Sequence, residues 1–421
     1  MDDVTYIGRR TPWGEPRLFG VERADRRQHV YVVGKTGLGK TTLLRNLLLQ
    51  DIHRGEGVGL IDPHGDLAEE LLDHIPPHRA GDVVYFNPAD LEFPVGFNLL
   101  RTTSEDEGHL VVSTTVSAFK HLWADSWGPR LEYIFSNALA ALVEQGRSTL
   151  VDVLRMLGDE RYRARVSQRS QDPIVRRFWL EEFTEYDKRF RAEAVAPIQN
   201  KLGRFLASAP LRNILGQVRS SLDLRFLMDR QRILIANLSK GTLGEDKAAL
   251  LGSLLVASFH LAVLQRAQIP EDDRKDFYLY IDEFHNFTTD AFATILSEAR
   301  KYRLGLTLAH QYLDQLPLDT RQAVFGNAGT LVSFGVGSTD AEVLAPNFSP
   351  LGPEALTDLG KYQAYVRLLA EGEVSTPFRA TTLPPIETPS GLREKLIQSS
   401  RSRYGQPRNR VEEKIARRLR D

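Results

Sequence analysis

Residues 29–48, HVYVVGKTGLGKTTLLRNLL, decide the fold of this chain. They begin with the short apolar run Val30–Val33, pass through a glycine-rich turn and end in a helical pattern that we place at Thr41–His53. The turn, Gly34–Thr41, fits G-x-x-x-x-G-K-[ST] at every position and lies between a strand and a helix, as this motif requires. The stretch predicts a phosphate-binding loop; the alternative is a glycine-rich turn that matches by chance.

The residue types of the loop indicate how it binds a nucleotide. Its glycines let backbone N–H groups converge on phosphates at the positive end of a helix. We expect Lys40 to reach the β- and γ-phosphates of ATP and the Thr41 hydroxyl to bind Mg²⁺. The predicted nucleotide-binding residues are Gly34, Thr36, Gly37, Leu38, Gly39, Lys40, Thr41 and Thr42.

Strand patterns that alternate with helical patterns continue on both sides of a long interruption. Further strands are predicted at Val58–Ile61, Asp82–Phe86, Arg232–Leu238, Phe277–Ile281, Leu304–Ala309, Thr330–Val336 and Tyr362–Leu369. This alternation is typical of a parallel sheet with helices on both faces. We predict an α/β fold, a RecA-like P-loop NTPase core with a mostly parallel sheet and an all-α insertion.

The domain boundaries follow from the places where this alternation starts and stops. We predict an N-terminal extension at 1–28, a nucleotide-binding domain at 29–100 and 231–384, an all-helical insertion at 101–230 and a basic C-terminal tail at 385–421.

Composition narrows the class of protein. The chain has 421 residues, a net charge of −1 and no cysteine, which excludes disulfides, thiolate zinc sites and cysteine nucleophiles. We expect a cytoplasmic protein, with a membrane-bound partner as a route to the inner face of the membrane. The N-terminal residues lack a signal peptide's apolar core, and the apolar run Leu250–Leu264 is too short to span a bilayer, so we expect no transmembrane segment.

An acidic pair follows the predicted strand Phe277–Ile281. We expect Asp282 to hold Mg²⁺, directly or through water, and Glu283 to act as the general base on the attacking water. An exposed acidic turn is the alternative. Two adjacent acids, with no N-K-x-D guanine motif in a suitable place, favour ATP hydrolysis over a GTP switch.

Polar residues at two other strand ends are further candidates. Gln311 follows Leu304–Ala309 and is a candidate sensor of the γ-phosphate, or a plain strand-end amide. Asp62, His64 and Asp66 follow the second strand, where they lie at the rim of the active site or form an ordinary turn.

Taken together, these segments resemble the conjugative coupling-protein branch of the FtsK/HerA ATPases, the TraG/TraD-like ATPases of type IV secretion. The resemblance is carried by HVYVVGKTGLGKTTLLRNLL, GLIDPHGDLAEELL, DVVYFNPADLEFPVGFNLL, LYIDEFHNF and ARKYRLGLTLAHQYL. It implies a homo-hexameric motor that hydrolyses ATP between subunits and translocates DNA. A secretion channel or a relaxase is the partner it implies.

The resemblance also implies an arginine supplied by the neighbouring subunit. Arg300 is our candidate, ahead of Arg303, and a solvated helix face is the alternative. The sequence departs from the family in two ways. We find no N-terminal transmembrane helices of the kind that coupling proteins have, and the residues before Val30 are too few for the β-barrel of HerA-type enzymes.

Basic side chains concentrate in two regions. Residues 155–232 hold seventeen Lys/Arg against ten Asp/Glu, and residues 391–421 hold ten against four. Such regions either contact nucleic-acid phosphates or form solvated surfaces. Trp179 and Phe183 either stack on bases or belong to the core.

The sequence is also compatible with two other functions. One is a HerA-like DNA motor that partners a nuclease in defence or repair. The other is a scaffold that binds ATP and recruits proteins without translocating DNA.

Overall fold

The computed structural model describes residues 3–11, 15–102, 107–288 and 290–420, and the chain divides into two compact units. The first, the sheet unit, comprises 1–86, 224–241 and 262–399. The second, the helical unit, comprises 87–223, 242–261 and 400–421.

Thirteen strands lie in the described part of the sheet unit. They are β1 Val4–Arg10, β2 Arg17–Glu22, β3 Val30–Val33, β4 Gly57–Asp62, β5 Val83–Phe86, β6 Ile233–Asn237, β7 Phe277–Ile281, β8 Leu304–His310, β9 Thr330–Ser333, β10 Gln363–Arg367, β11 Leu369–Ala370, β12 Glu373–Val374 and β13 Phe378–Thr382.

Eleven of these strands form one sheet in the order β2-β1-β13-β10-β9-β3-β8-β7-β4-β6-β5. The seven strands from β9 to β5 are parallel, and the other four join antiparallel. Every residue of β3, β4, β6, β7 and β8 is buried, as expected for parallel strands covered on both faces. The α/β fold with a mostly parallel sheet is confirmed.

The strand order decides which loops meet. Strand β3 lies between β8 and β9, and β7 lies between β8 and β4. Because carboxyl ends of parallel strands share one edge of a sheet, the segments after β3, β8, β7 and β4 converge there.

The helices include both long core helices and single turns. In chain order they are α1 Arg23–Arg26, α2 Lys40–Arg54, α3 Asp66–Leu72, α4 Gly108–Leu122, α5 Pro129–Val143, α6 Leu150–Gly158, α7 Glu160–Arg169, α8 Pro173–Arg177, α9 Phe183–Glu185, α10 Lys188–Ala207, α11 Ala209–Leu215, α12 Leu224–Asp229, α13 Lys240–Leu243, α14 Glu245–Gln265, α15 Asp290–Glu298, α16 Leu318–Asn327, α17 Ser338–Leu344, α18 Pro353–Thr357, α19 Arg393–Tyr404 and α20 Arg408–Arg420.

The first 28 residues differ from the extension that we predicted. They contribute β1 and β2, and β1 pairs with β13 through Gly8 opposite Thr382. We predicted neither β1 nor β13, because exposed polar residues interrupt the apolar positions of both strands. Residues 87–100, which we assigned to the nucleotide-binding domain, belong to the helical unit, where the Phe97 amide donates to Ile214.

The helical unit has an aromatic core. Trp179 is 1% exposed and its indole N–H donates to the carbonyl of Asn137, while Phe183 is fully buried. Their rings lie 4.8 Å apart between centroids. Of the two readings of these residues, the structure supports the core one, and neither ring is available to stack on a base.

The basic tail that we predicted from residue 385 onward contains α19 and α20. Helix α20 has an apolar stripe, and two of its residues, Val411 and Ile415, are buried within the helical unit. One helical segment, Glu245–Gln268, is long and apolar enough to cross a membrane, but 67% of its most apolar window is buried inside the protein. Buried core helices of this length commonly have such a composition.

Candidate active site

The phosphate loop connects β3 to α2. Lys40 opens the helix with only 7% of its surface exposed, and its Nζ donates to the carbonyl oxygens of Gly34 at 2.6 Å and Lys35 at 3.3 Å. Burial lowers the pKa of Lys40, while the nearby carboxylates of Glu283 and Asp282 raise it. The ammonium group therefore lies inside the loop, in electrostatic contact with the acidic pair.

Gly39 shows why the loop needs glycine. Its φ is 119°, a conformation that side chains rarely adopt, and a Cβ there would lie 2.7 Å from Cδ1 of Tyr362. The amide of Tyr362 donates to Leu38 at 2.7 Å, and the amide of Lys35 donates to Gly335 at 2.9 Å. The loop is thus held from both sides by segments far along the chain.

Asp282 follows β7 and is 6% exposed. Its Oδ1 accepts the amide N–H of Glu283 at 3.0 Å. Burial, then the carboxylates of Asp62 and Glu283, raise its pKa to about 7. Negative charge is therefore costly at this position, and a cation bound beside Asp282 would favour its ionised form.

Glu283 has a left-handed backbone, with φ 45° and ψ 48°, and a buried side chain. Its Oε1 accepts a hydrogen bond of 2.7 Å from Nε2 of Gln311, which follows β8. Its Oε2 lies 3.5 Å from Nδ1 of His285, and neither of these two atoms has a hydrogen-bond partner among the residues that the structure describes. The Glu283 carboxylate is therefore positioned by the segments after two neighbouring strands.

His285 is a residue of this site that sequence reasoning missed. Its Nε2 lies 3.2 Å from the side-chain Nε2 of Gln315, so the amide donates and the ring proton is on Nδ1, facing Glu283. Burial lowers the pKa of His285, which keeps the ring neutral. The signal was present in LYIDEFHNF, but only the turn after β7 brings the ring back to the carboxylate.

Asp62 ends β4 and has a structural role. Its two carboxylate oxygens accept the amides of His64 at 2.8 Å and Ala68 at 2.9 Å, which fixes the turn into α3. His64 and Asp66, by contrast, are exposed at the site. The turn places these two residues at the rim, and it buries the acid that precedes them.

These segments enclose one cavity of about 460 Å³. Its lining residues are Thr36, Gly37, Gly39, Lys40, Thr41, Thr42, His64, Asp66, Asp282, Glu283, Gln311, Lys361 and Tyr362. Two distant parts of the sequence, the phosphate loop and the acidic pair, therefore face each other. Lys361 and Tyr362, which sequence reasoning missed, arrive just before β10 and carry no recognisable motif.

Magnesium fits the oxygen groups that the cavity offers. No cluster of three or more His, Asp or Glu side chains that could hold a metal occurs within the described residues. Mg²⁺ needs less, because one or two protein oxygens together with phosphate oxygens and water complete its shell. The Thr41 hydroxyl and the Asp282 carboxylate lie on the same cavity and provide such oxygens.

Arg300 lies away from this cavity in its own chain. It belongs to the single turn Ala299–Tyr302 before β8, whereas Gln311 follows the other end of that strand. Seven residues of extended chain separate the two ends by roughly 20 Å. The Arg300 side chain is exposed and does not line the cavity of its own chain.

Known proteins share this sequence pattern and fold. Residues 24–257, just over half of the chain, match the family described as Helicase HerA, central domain. No curated protein sequence matches the chain significantly.

Solved structures with the same fold include the plasmid coupling protein TrwB and the protein VirB4. TrwB with the GTP analogue GDPNP is 17% identical at a TM-score of 0.60, with 87% of each chain covered. TrwB with ADP and Mg²⁺ is 16% identical at 0.62, with 88% of each chain covered. VirB4 of Thermoanaerobacter pseudethanolicus is 14% identical at 0.62, covering 91% of this chain and 96% of that one.

At these identities the likeness establishes the fold, and the family match establishes kinship. Both agree with the resemblance that residues 29–48 and the acidic strand predicted. The chain belongs to the family of the HerA helicase central domain.

Proposed function

We propose that this protein is a motor that hydrolyses ATP and uses the energy to move DNA. One observation carries the proposal: Lys40 and Thr41 of the phosphate loop share a cavity with Asp282, Glu283 and Gln311. A phosphate cradle opposite a paired acid and a polar strand end is the arrangement that nucleotide hydrolysis needs.

The chain's own side chains supply the chemistry in this proposal. The Lys40 ammonium exchanges its bonds to the loop carbonyls for bonds to the β- and γ-phosphates. Thr41 and Asp282 hold Mg²⁺, which neutralises developing charge on the phosphates when bound. Glu283 accepts the proton of the attacking water, and Gln311 lies where it can sense the γ-phosphate.

The proton transfer requires Glu283 to be available. In the structure Gln311 occupies Oε1 of Glu283, and His285 faces Oε2. Each carboxylate oxygen accepts more than one hydrogen bond, so the attacking water can bind Glu283 while the Gln311 amide holds the carboxylate in place.

Subunit association completes the proposed site. Since Arg300 lies beyond reach of the cavity of its own chain, it can stabilise the γ-phosphate only from a neighbour, as in a ring. A homo-hexamer in the cytoplasm, recruited to a membrane by a partner, is the assembly we propose. Particle images with and without ATP, together with an Arg300→Ala variant mixed with wild type, test this arrangement.

The decisive experiment measures ATP turnover with and without DNA. We expect DNA to raise the rate and Glu283→Gln to abolish turnover while ATP still binds. Turnover that survives Glu283→Gln would refute the assignment of the general base. Turnover without any response to DNA would favour the recruitment scaffold over the motor.

Membership of the HerA family also supports a second candidate, a DNA motor that works with a nuclease. The family match is consistent with a nuclease partner as well as with a relaxase or a secretion channel. Co-purification of the tagged chain from its native cell, followed by identification of bound proteins, separates the two. A bound nuclease would favour a role in defence or repair over one in conjugation, and it would not contradict the proposed motor activity.

A further inference from the structure

The helical unit contains a second cavity, of about 500 Å³, which we call the arginine cleft. Its lining residues are Gln145, Arg147, Ser148, Arg155, Tyr162, Arg165, Val166, Arg169, Lys414, Arg417 and Arg418. Seven of the eleven carry a positive side chain and none carries a negative one. The residues come from α6, α7, the segment before α6, and α20 at the far end of the chain.

Asp152 connects the helices that line the cleft by accepting hydrogen bonds from two of its lining residues. It is completely buried, and both of its carboxylate oxygens accept from Nε of Arg418, at 2.9 and 2.8 Å. The Tyr162 hydroxyl donates to the same carboxylate at 3.2 Å, and the Arg155 guanidinium lies 4.0 Å from the Tyr162 ring centroid. One buried acid thus fixes α20 against α6 and α7.

The remaining positive charge faces solvent. Arg147 and Arg169 are exposed, and in the described part of the chain neither is paired with a carboxylate. Arg417 pairs with Glu413 at 3.6 Å, but both side chains are 70% exposed, so solvent screens this pair. Convergent cations of this kind repel one another unless an anion lies between them.

We propose that the arginine cleft binds consecutive phosphates of a nucleic-acid strand. Arginine matches phosphate oxygens with paired donors, and six of the seven cations here are arginines. A cavity of about 500 Å³ has room for a short length of single-strand backbone. The inference rests on the proposed function only in taking a nucleic acid as the source of the phosphates.

The cleft offers charge and little else for recognition. Its aromatic residue, Tyr162, is buried with Arg155 over its ring, so no aromatic face is left for a base. Binding through the cleft is therefore independent of sequence and even of the presence of bases. This property separates the cleft from sites where bases stack on aromatic side chains.

The test compares two charge-reversal pairs in the full-length chain, without nucleotide. Arg147→Glu with Arg169→Glu changes the cleft. Arg176→Glu with Lys188→Glu makes the same charge change at exposed positions of the helical unit outside it. Anisotropy of a labelled oligothymidylate and of an abasic strand of equal length measures affinity at several salt concentrations, and thermal unfolding verifies that both proteins fold.

We expect the cleft pair to weaken both strands by about tenfold or more, and to flatten the dependence of log affinity on log salt by roughly 1.4 for two lost contacts. The control pair should stay within about twofold of the wild type. Equal weakening by the control pair, or no strand binding at all, overturns the proposal.

Two competitors identify the source of the negative charge. Tripolyphosphate and polyglutamate should each displace the strand only at a large excess. If tripolyphosphate bound tightly through the cleft and the strand did not, the ligand would be a small polyphosphate and the proposal of a strand would be wrong. Equal competition by polyglutamate would overturn it in favour of an acidic protein segment.

The design separates this inference from the proposed function. Strand binding is measured without ATP, so a chain that binds strands through the cleft but hydrolyses nothing refutes the motor alone. A chain with DNA-stimulated hydrolysis and an inert cleft refutes only the cleft.

Discussion

The sheet unit and the helical unit differ in how they position the polar and charged side chains that line their cavities. In the sheet unit Asp282 and Gln311 are the polar residues that follow buried strands, and Lys40 begins the helix that follows one. In the helical unit Arg147, Arg169 and Arg417 lie on surfaces of separate segments, far apart in sequence.

The two units differ in how well short sequence motifs predict which residues line a cavity. A strand end fixes where its next side chain lies, because parallel strands share an edge, so short motifs are enough to find the cavity in the sheet unit. A helix surface offers many positions of similar charge, and only packing decides which of them converge. Four changes, in order of expected effect, break or sharpen this contrast.

Asp152→Ala should have the largest effect, on the stability of the helical unit. The change leaves Arg418 without its buried partner and should cost about 3–5 kcal/mol in the free energy of unfolding. Chemical denaturation followed by circular dichroism measures it. The exposed pair of Glu181 with Arg177 is the control, and Glu181→Ala should cost less than about 1 kcal/mol. Similar costs for both changes would show that Asp152 does not fasten the cleft.

Lys40→Ala should weaken ATP binding by about a hundredfold, since the lost ammonium leaves the phosphates with backbone donors alone. Titration calorimetry measures the affinity. Lys35→Ala is the matched control, because this lysine of the same loop is exposed and does not line the cavity. Equal losses of ATP affinity in the two variants would contradict the assignment of Lys40 to the phosphates.

Asp282→Asn should stabilise the nucleotide-free protein in a pH-dependent way. The folded state keeps this carboxyl protonated up to about pH 7, so ionising it costs folding free energy that accumulates between about pH 4 and 7. At about 1.4 kcal/mol for each pH unit the cost reaches at most about 4 kcal/mol, so the variant should gain a few kcal/mol at pH 8, and this gain should shrink below pH 7 and vanish near pH 4.

Thermal unfolding across this pH range, without magnesium, measures the gain. Asp66→Asn makes the same change at an exposed position of the cavity and serves as the control. A gain in Tm that is flat with pH would mean that the burial of Asp282 does not perturb its titration.

His285→Ala should have the smallest effect, a loss of about threefold to tenfold in kcat with KM unchanged, as expected for one positioning contact. His285→Gln, which retains a donor, should recover part of it. Steady-state ATP turnover measures both. An increase in KM with kcat intact would instead place His285 in nucleotide binding.

The sequence predicted the interior of the sheet better than its edges. Val30–Val33 and Phe277–Ile281 were predicted with the bounds that the structure has, because fully apolar strands between turns are unambiguous. The positions of β1, β2 and β13 were not predicted, because these strands mix exposed polar residues with buried ones and have no continuous apolar run. The order of the parallel strands was also beyond local pattern.

The candidate site follows the same rule. Lys40, Asp282, Glu283 and Gln311 were found from motifs and strand ends, and the structure brings them to one cavity. Tyr362 was not found, because it reaches Gly39 through a loop that joins neither motif. The capping role of Asp62 was likewise invisible, since a turn and a ligand look alike in sequence.

The pairing of Gly8 with Thr382 has a consequence for biosynthesis. A ribosome adds about 5–20 residues each second, so β1 emerges tens of seconds before the strand that completes its ladder. Helix α20, which closes the arginine cleft, emerges later still. The nascent chain must keep an unfinished sheet edge from pairing with other chains throughout that interval, and we expect its dependence on chaperones to be greatest then.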